Sequence, residues 1–323
     1  MLFSAFLAMA GVARAETPEE FYAGSTVTCL VPSGPGGTYA VYANLMAPFF
    51  SKHMVGHPNV VMQFIPSGIE SMNFFANAAP KDGSMIGLFS QNSSISQVLE
   101  SDVVQFDVSK FNALGLFAQL NAVMTVAERT GIKTIEDLKE KELILGATET
   151  TSYQYRIPIA MNKYLGTKIK VITGYGDVPE IDLAMQRGEV DGTFTSWLAV
   201  KQARSKDEAN NFPALSLFQV GINSESDLDA PLLQELTDDP DIKRAFDFHA
   251  SFTALSRGMI APPGVPEDRL EALRTAFAAV IADPDFAKAL EEKNLPLRPL
   301  TWQEQQKIME EAAQTPRELV VIE

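Results

Sequence analysis

The residues best suited to chemistry lie in Ser33-Gly-Pro-Gly-Gly-Thr-Tyr39, between the strand-forming run Val27–Val31 and a helical pattern that begins at Thr38. Pro32 to Gly37 cannot continue a strand and supply a tight turn. Beyond it, Val41, Leu45 and Phe49 form one helical stripe, with Tyr42, Met46 and Phe50 beside it. Such a loop aims the backbone N–H groups of Gly36, Gly37 and Thr38 away from a helix start, with Thr38 as N-cap and hydroxyl donor and Ser33 and Tyr39 at its edges. Amides and a positive dipole end of this kind attract an anion. An ordinary strand-to-helix turn is the other reading.

Four further polar loops sit where a strand pattern ends. Ser67 and Gly68 follow one. The run Ser90-Gln-Asn-Ser-Ser94 follows another, and in it Gln91 and Asn92 offer paired donor and acceptor atoms. Thr148, Thr150, Thr151, Ser152 and Tyr153 cluster hydroxyls ahead of a helix, where they either cap it or reach a ligand; Glu149 is expected to face outward. Gly174, Tyr175, Gly176 and Asp177 form the fourth, with Tyr175 read as a cleft contact and Asp177 as a helix N-cap. Thr195, Ser196 and Trp197 are weaker candidates. Arg156 is the cation expected nearest to these loops.

Enzyme signatures are absent. His53, His57 and His249 are scattered, and neither His-Glu-x-x-His nor a Cys/His zinc spacing occurs. Gly-x-Ser-x-Gly and the phosphate-binding Gly-x4-Gly-Lys-Ser/Thr are missing too. Gly34-Pro-Gly-Gly-Thr-Tyr39 imitates a dinucleotide loop without its last glycine or the acidic residue about 20 positions on. The single cysteine, Cys29, lies inside an apolar strand pattern and reads as a buried filler. No catalytic role, metal or cofactor is expected.

Positioning these loops requires strands alternating with helices. Strand patterns cover Val27–Val31, Val60–Ile65, Met85–Phe89, Met124–Ala127, Leu143–Gly146, Lys170–Thr173, Gly192–Thr195 and Leu215–Val220. Helical patterns fall near 39–53, 70–78, 134–140, 153–165, 178–187 and 196–205. The alternation predicts an α/β fold of parallel sheets with crossover helices. Two halves repeat one design: Val31 leads into the first glycine loop, and Leu145 into Gly146-Ala-Thr-Glu-Thr-Thr-Ser152. At 323 residues, two lobes are natural. Ligands of open α/β sheets sit beyond the carboxyl ends of the strands, so facing lobes make a cleft. A helical tail follows, opening at Pro266-Glu-Asp with Leu270, Leu273, Phe277, Val280 and Ile281 on one face.

The first loop and helix resemble the opening of the solute receptors of tripartite tricarboxylate transporters, the Bug family. Val61-Met-Gln-Phe-Ile-Pro-Ser-Gly-Ile-Glu-Ser71 and Asn77-Ala-Ala-Pro-Lys-Asp-Gly-Ser-Met-Ile-Gly87 are similar to its second loop and its Ala-Pro-Asp-Gly turn. Thr134-Ile-Glu-Asp-Leu138, Val171-Ile-Thr-Gly-Tyr-Gly176, Ala184-Met-Gln-Arg-Gly-Glu-Val-Asp-Gly192 and Ala261-Pro-Pro-Gly-Val-Pro266 follow in the family's order. The likeness departs at Ala40 and Asn44, where the family has Asp and Arg; both positions are expected beside the pocket. The resemblance implies a two-lobed periplasmic-binding-protein-like (type II) fold, with 16–122 and 252–323 in lobe 1 and 123–251 in lobe 2. It also implies a small organic acid as ligand, membrane permease subunits as partners and a monomeric receptor; a sensor system is the alternative partner. Main-chain amides and hydroxyls from both lobes, rather than a formal positive charge or a metal, are expected to grip the ligand.

Composition agrees with that setting. The net charge of −15 argues against nucleic acid as a partner. Leu2 to Val12 is an apolar or small run too short to span a bilayer, and Ala13-Arg-Ala15 fits a small-x-small cleavage site. Residues 1–15 are therefore read as an export signal, truncated at its basic end, that sends the chain to an extracytoplasmic compartment.

Overall fold

The computed structural model describes residues 16–35, 38–99, 102–148, 150, 152–176, 178–206 and 214–321, so the expected export signal lies outside the described residues. The described residues form ten strands: β1 (Thr26–Val31), β2 (Asn59–Phe64), β3 (Met85–Leu88), β4 (Asn112–Leu116), β5 (Ala122–Ala127), β6 (Leu143–Ala147), β7 (Ile169–Thr173), β8 (Gly192–Ser196), β9 (Ala214–Val220) and β10 (Gly258–Ala261). The helices up to the second sheet's midpoint are α1 (Pro18–Tyr22), α2 (Thr38–His53), α3 (Gly68–Asn77), α4 (Ser93–Leu99), α5 (Ile135–Glu140), α6 (Tyr153–Leu165), α7 (Val178–Arg187) and α8 (Trp197–Lys206). After them come α9 (Pro240–Ala254), α10 (Glu267–Ala282), α11 (Pro284–Glu291), α12 (Trp302–Ala313) and α13 (Arg317–Val320).

Two five-stranded sheets form, ordered β2-β1-β3-β10-β4 and β7-β6-β8-β5-β9. The expected two-lobed α/β architecture is the one adopted. The expectation of purely parallel sheets is corrected. β1 runs parallel to β2 and β3, and β6 to β7 and β8, but β10 is antiparallel to β3 and β4, and β5 to β8 and β9. Each of these two strands is one that the chain reaches by crossing from the other sheet, not through a crossover helix on its own sheet, so it runs against its neighbours.

The crossing segments lie side by side. Phe117 N–H donates to the Arg257 carbonyl at 3.0 Å, and Arg298 N–H to the Phe117 carbonyl at 2.9 Å. Asn121 Nδ2 reaches across to Gln219 Oε1 at 2.8 Å and to the Asn223 carbonyl at 2.7 Å. The first lobe's core gathers α2, α10 and α11 on one face of its sheet, where the Phe117 ring stands 4.9 Å from Phe277 and 5.4 Å from Tyr42. In α2, Ala40, Tyr42, Ala43, Met46 and Phe50 are buried. The stripe through Tyr42, Met46 and Phe50 is therefore the inner one. The second lobe's core closes around Met124, Leu145, Ile157, Phe194 and Phe218.

Asp283 ties the C-terminal helices to the first lobe. It caps α11 by accepting from Asp285 N–H at 2.9 Å, while its Oδ2 lies 2.7 Å from both Lys52 Nζ and His53 Nε2. Those partners, Lys52 first, hold its carboxyl well below the usual carboxylate range. A depressed carboxylate stabilises the fold above its unfolded value near pH 4 and loses that contribution as pH falls. Asp283→Asn is expected to lower Tm at pH 7, with the difference from wild type closing as the pH falls from about 4 to about 2; a gap independent of pH would contradict this. Cys29 is fully buried, and burial pushes its thiol up to about 12. The folded protein should therefore leave a thiol reagent unconsumed until denaturant is added.

Candidate functional site

Three of the sequence-predicted loops meet at the carboxyl ends of β1, β3 and β2. They enclose a cavity of about 360 Å³ lined by Pro32, Tyr39, Ser67, Gly68, Gln91 and Asn92, together with Ile69, Ser90, Ser93 and Ser96. Local chemistry shapes this wall. Ser67 caps α3, its hydroxyl accepting from Glu70 N–H at 3.3 Å. The first-turn amides of Gly68 and Ile69 have no intrahelical acceptor. A Cβ on Gly68 would stand 2.5 Å from Ser90 Oγ, so glycine lets these two loops meet without moving the serine hydroxyl. Tyr39 reaches from the first turn of α2 to the loop after β3, where its hydroxyl accepts from Gln91 N–H at 3.1 Å.

A cation that the sequence reading did not single out stands behind this wall. Arg257, only 9% exposed, places its guanidinium carbon 4.6 Å from the Tyr39 ring centroid and 5.8 Å from that of Tyr42. Its Nη1 donates to the Ser256 carbonyl at 2.6 Å, and among the described residues its Nε has no partner. Among the described residues no carboxylate forms an ion pair with it. Burial raises the Tyr39 phenol above its ordinary value; the Arg257 charge and the Gln91 amide oppose that rise. Tyr39 therefore keeps its proton at neutral pH. Ser93 is one of the lining residues, and among the described residues its buried Oγ has no partner.

The other predicted residues are placed as follows. Gly36, Gly37, Glu149, Thr151 and Asp177 lie outside the described residues. Thr38 is exposed and helical, the first described residue of α2, rather than the N-cap that the sequence suggests. Ser33 donates to the Gly34 carbonyl at 3.1 Å. Ala40 is buried in the core and Asn44 is exposed; neither is among the residues that line the cavity.

In the second lobe the loops bond to themselves. Thr148 gives its amide and hydroxyl to Gln154 Oε1 at 3.2 and 3.1 Å, and its carbonyl accepts from Gly174 N–H at 3.1 Å. Gly176 N–H donates to Glu180 Oε2 at 2.6 Å. The Tyr175 ring packs on the cluster of Ile181, Ala184 and Met185, and a Cβ on Gly146 would stand 3.2 Å from it. Thr150 is exposed, and Ser152 holds the N-cap position of α6. Burial pushes the Tyr153 phenol up to about 12. Its ring lies 4.9 Å from Phe252 and packs on the cluster containing Ile95 of α4, so the start of α6 meets the first lobe beside the loop that carries Gln91 and Asn92. Arg156 is turned away, donating to the Val320 carbonyl at 3.2 Å.

The arrangement presents hydroxyls and amides to a small acceptor-rich molecule. Among the described residues no group of three His, Cys, Asp or Glu side chains is placed to hold a metal, and no helix is long and apolar enough to cross a membrane.

Two α/β lobes joined by adjacent crossing segments, with a polar cavity at the strand ends, define the periplasmic-binding-protein class of fold. Solved structures share it. Similarity extends over 93% of this chain and 99% of the other for a TctC solute binding protein from Polaromonas, solved with no ligand, with a TM-score of 0.76 and 18% identity. MatC from Rhodopseudomonas palustris with bound malate is similar over 92% of this chain and 99% of its own, with a TM-score of 0.60 and 16% identity. For the periplasmic binding protein BugD the coverage is 92% and 97%, the TM-score 0.59 and the identity 17%. At these identities the likeness establishes the fold. No family model matches the sequence, and no curated protein does.

Gly68→Ala tests the cavity wall. The added methyl must displace Ser90, a small overpacking of about 1–3 kcal/mol in stability, and is expected to reduce ligand uptake about tenfold by calorimetry, since one misplaced polar contact is worth about 1.4 kcal/mol. Unchanged uptake would show that this wall is not the binding surface.

Proposed function

We propose that the protein is an extracytoplasmic solute receptor of the tripartite tricarboxylate (Bug) type, which takes up a small organic acid and delivers it to membrane permease subunits. The observation that carries this reading is the cavity at the strand ends of the first lobe: hydroxyls and first-turn amides in front, and a buried cation without a carboxylate behind. The fold shared with TctC, BugD and malate-bound MatC supports it. So do the apolar N-terminal run with its Ala13-Arg-Ala15 site and the ordered set of family-like motifs. We place 16–122 and 252–323 in one lobe and 123–251 in the other, hinged at the crossing segments, so that closure brings the α6 and β7–α7 loops over the ligand. The receptor acts as a monomer and performs no chemistry on its ligand.

The net charge of −15 opposes anion capture at long range, so the attraction must be local. Charge-assisted hydrogen bonds contribute about 1.5–3 kcal/mol each, and a helix start about 0.3–1. A handful of them, less the cost of association, gives about −8 kcal/mol, or micromolar affinity. Calorimetry of the mature chain against malate, succinate, citrate, adipate and benzoate is expected to find at least one acid bound in that range. Silence across all of them would overturn the reading.

A further inference from the structure

We propose that Arg257 is a positioning residue that acts through Tyr39, fixing the tyrosine hydroxyl as a donor aimed at the ligand and setting the preference for a carboxylate over its neutral amide at the Tyr39–Ser93 corner of the cavity. This rests on the receptor reading above and deepens it.

The hydrogen-bond inventory of the phenol carries the inference. A tyrosine hydroxyl has one proton to give and two lone pairs to accept with. Gln91 N–H donates to it at 3.1 Å, and among the described residues no protein atom takes its proton. One accepting position is filled and the O–H is unspent, on a residue that lines the cavity. A ligand group that accepts completes the inventory. Ser93, which lines the same cavity, is 2% exposed, and its buried Oγ needs a bond that the described protein atoms do not supply.

Arg257 adds the sign of the charge. It does not line the cavity, so it makes no direct ion pair with a ligand. Its charge lies against the face of the phenol ring, 4.6 Å from the centroid, where it draws density from the ring and strengthens the O–H as a donor. A buried cation with no carboxylate partner is costly to leave unbalanced. An anionic acceptor in the cavity offsets that cost, whereas an amide of the same shape accepts the phenol's proton without balancing the charge. Tyr39 thus requires an acceptor, and Arg257 requires that it be charged.

The test measures affinity for the acid of the calorimetric panel that binds wild type most tightly, and for its neutral amide (malamide for malate, succinamide for succinate). Arg257→Gln is expected to weaken the acid about 10- to 100-fold while changing the amide no more than about threefold. Arg257→Lys should recover part of the acid-to-amide ratio. Tyr39→Phe, which keeps the ring over the guanidinium, is expected to weaken acid and amide together by about tenfold. The ratio is the informative readout, because a misfolded or loosened site loses both ligands alike. If Arg257→Gln does not fold by circular dichroism, Tyr39→Phe alone decides. An unchanged ratio in a folded Arg257→Gln, or unchanged affinities in Tyr39→Phe, overturns this inference and leaves the receptor standing. Wild type that binds no acid overturns both.

Discussion

A guanidinium held out of water with no carboxylate beside it is the constraint to which the first lobe answers. Removing a cation from water costs several kcal/mol unless other groups take over its hydration. Arg257 recovers part of this from the Ser256 carbonyl and from the faces of Tyr39 and Tyr42. A desolvated cation over an aromatic ring gains up to about 2 kcal/mol. The two tyrosines are committed by this arrangement. Tyr42 sends its hydroxyl to the Pro296 carbonyl at 2.8 Å, and Tyr39 bridges to the loop after β3. The carbonyl of Arg257 accepts from Phe117 on the outgoing crossing segment. One residue therefore touches the ligand wall, the lobe crossing and the first-lobe core.

The two lobes divide the work unevenly. In the first, Ser93 Oγ is unsatisfied and the amides at the start of α3 face the cavity. In the second, Thr148 and Gly176 are bonded to Gln154 and Glu180 within their own lobe. A loop whose polar groups are already paired has little to offer a ligand without losing bonds of its own. The first lobe is the face with donors to give, and the second serves better as cover, with Tyr153 packed at the seam against the cluster of Ile95 and Phe252.

Much of this was legible in the sequence, and the failures have physical causes. Runs such as Thr-Val-Thr-Cys-Leu-Val and Leu-Ile-Leu-Gly-Ala show their strand character locally, and Ser67, Gly68, Gln91 and Asn92 follow from one rule, that ligands sit past strand ends. β4 and β10 escaped because Asn-Ala-Leu-Gly-Leu and Gly-Met-Ile-Ala are short, poor in branched residues and paired only with distant segments. Strand direction has no local signature, so the antiparallel β5 read as parallel. Tyr175 illustrates an ambiguity that sequence cannot resolve: an aromatic beside glycines can face a cleft or cover a core, and here it covers Gly146. Arg257 was missed since a lone arginine ordinarily means a solvated surface. The usable signal was its company, Leu255-Ser-Arg-Gly-Met-Ile-Ala261, in which an apolar strand follows at once.

The most direct measurement is a crystal structure of the mature chain grown with bromosuccinate, the halogen located by its anomalous scattering. One carboxylate is expected within hydrogen-bond distance of the Tyr39 hydroxyl and Ser93 Oγ, with Arg257 behind the ring and the bromine in the cavity bounded by Ser67 and Gly68. Bromine density seated only against the second lobe, or outside the cavity at the ends of β1 and β3, would contradict it.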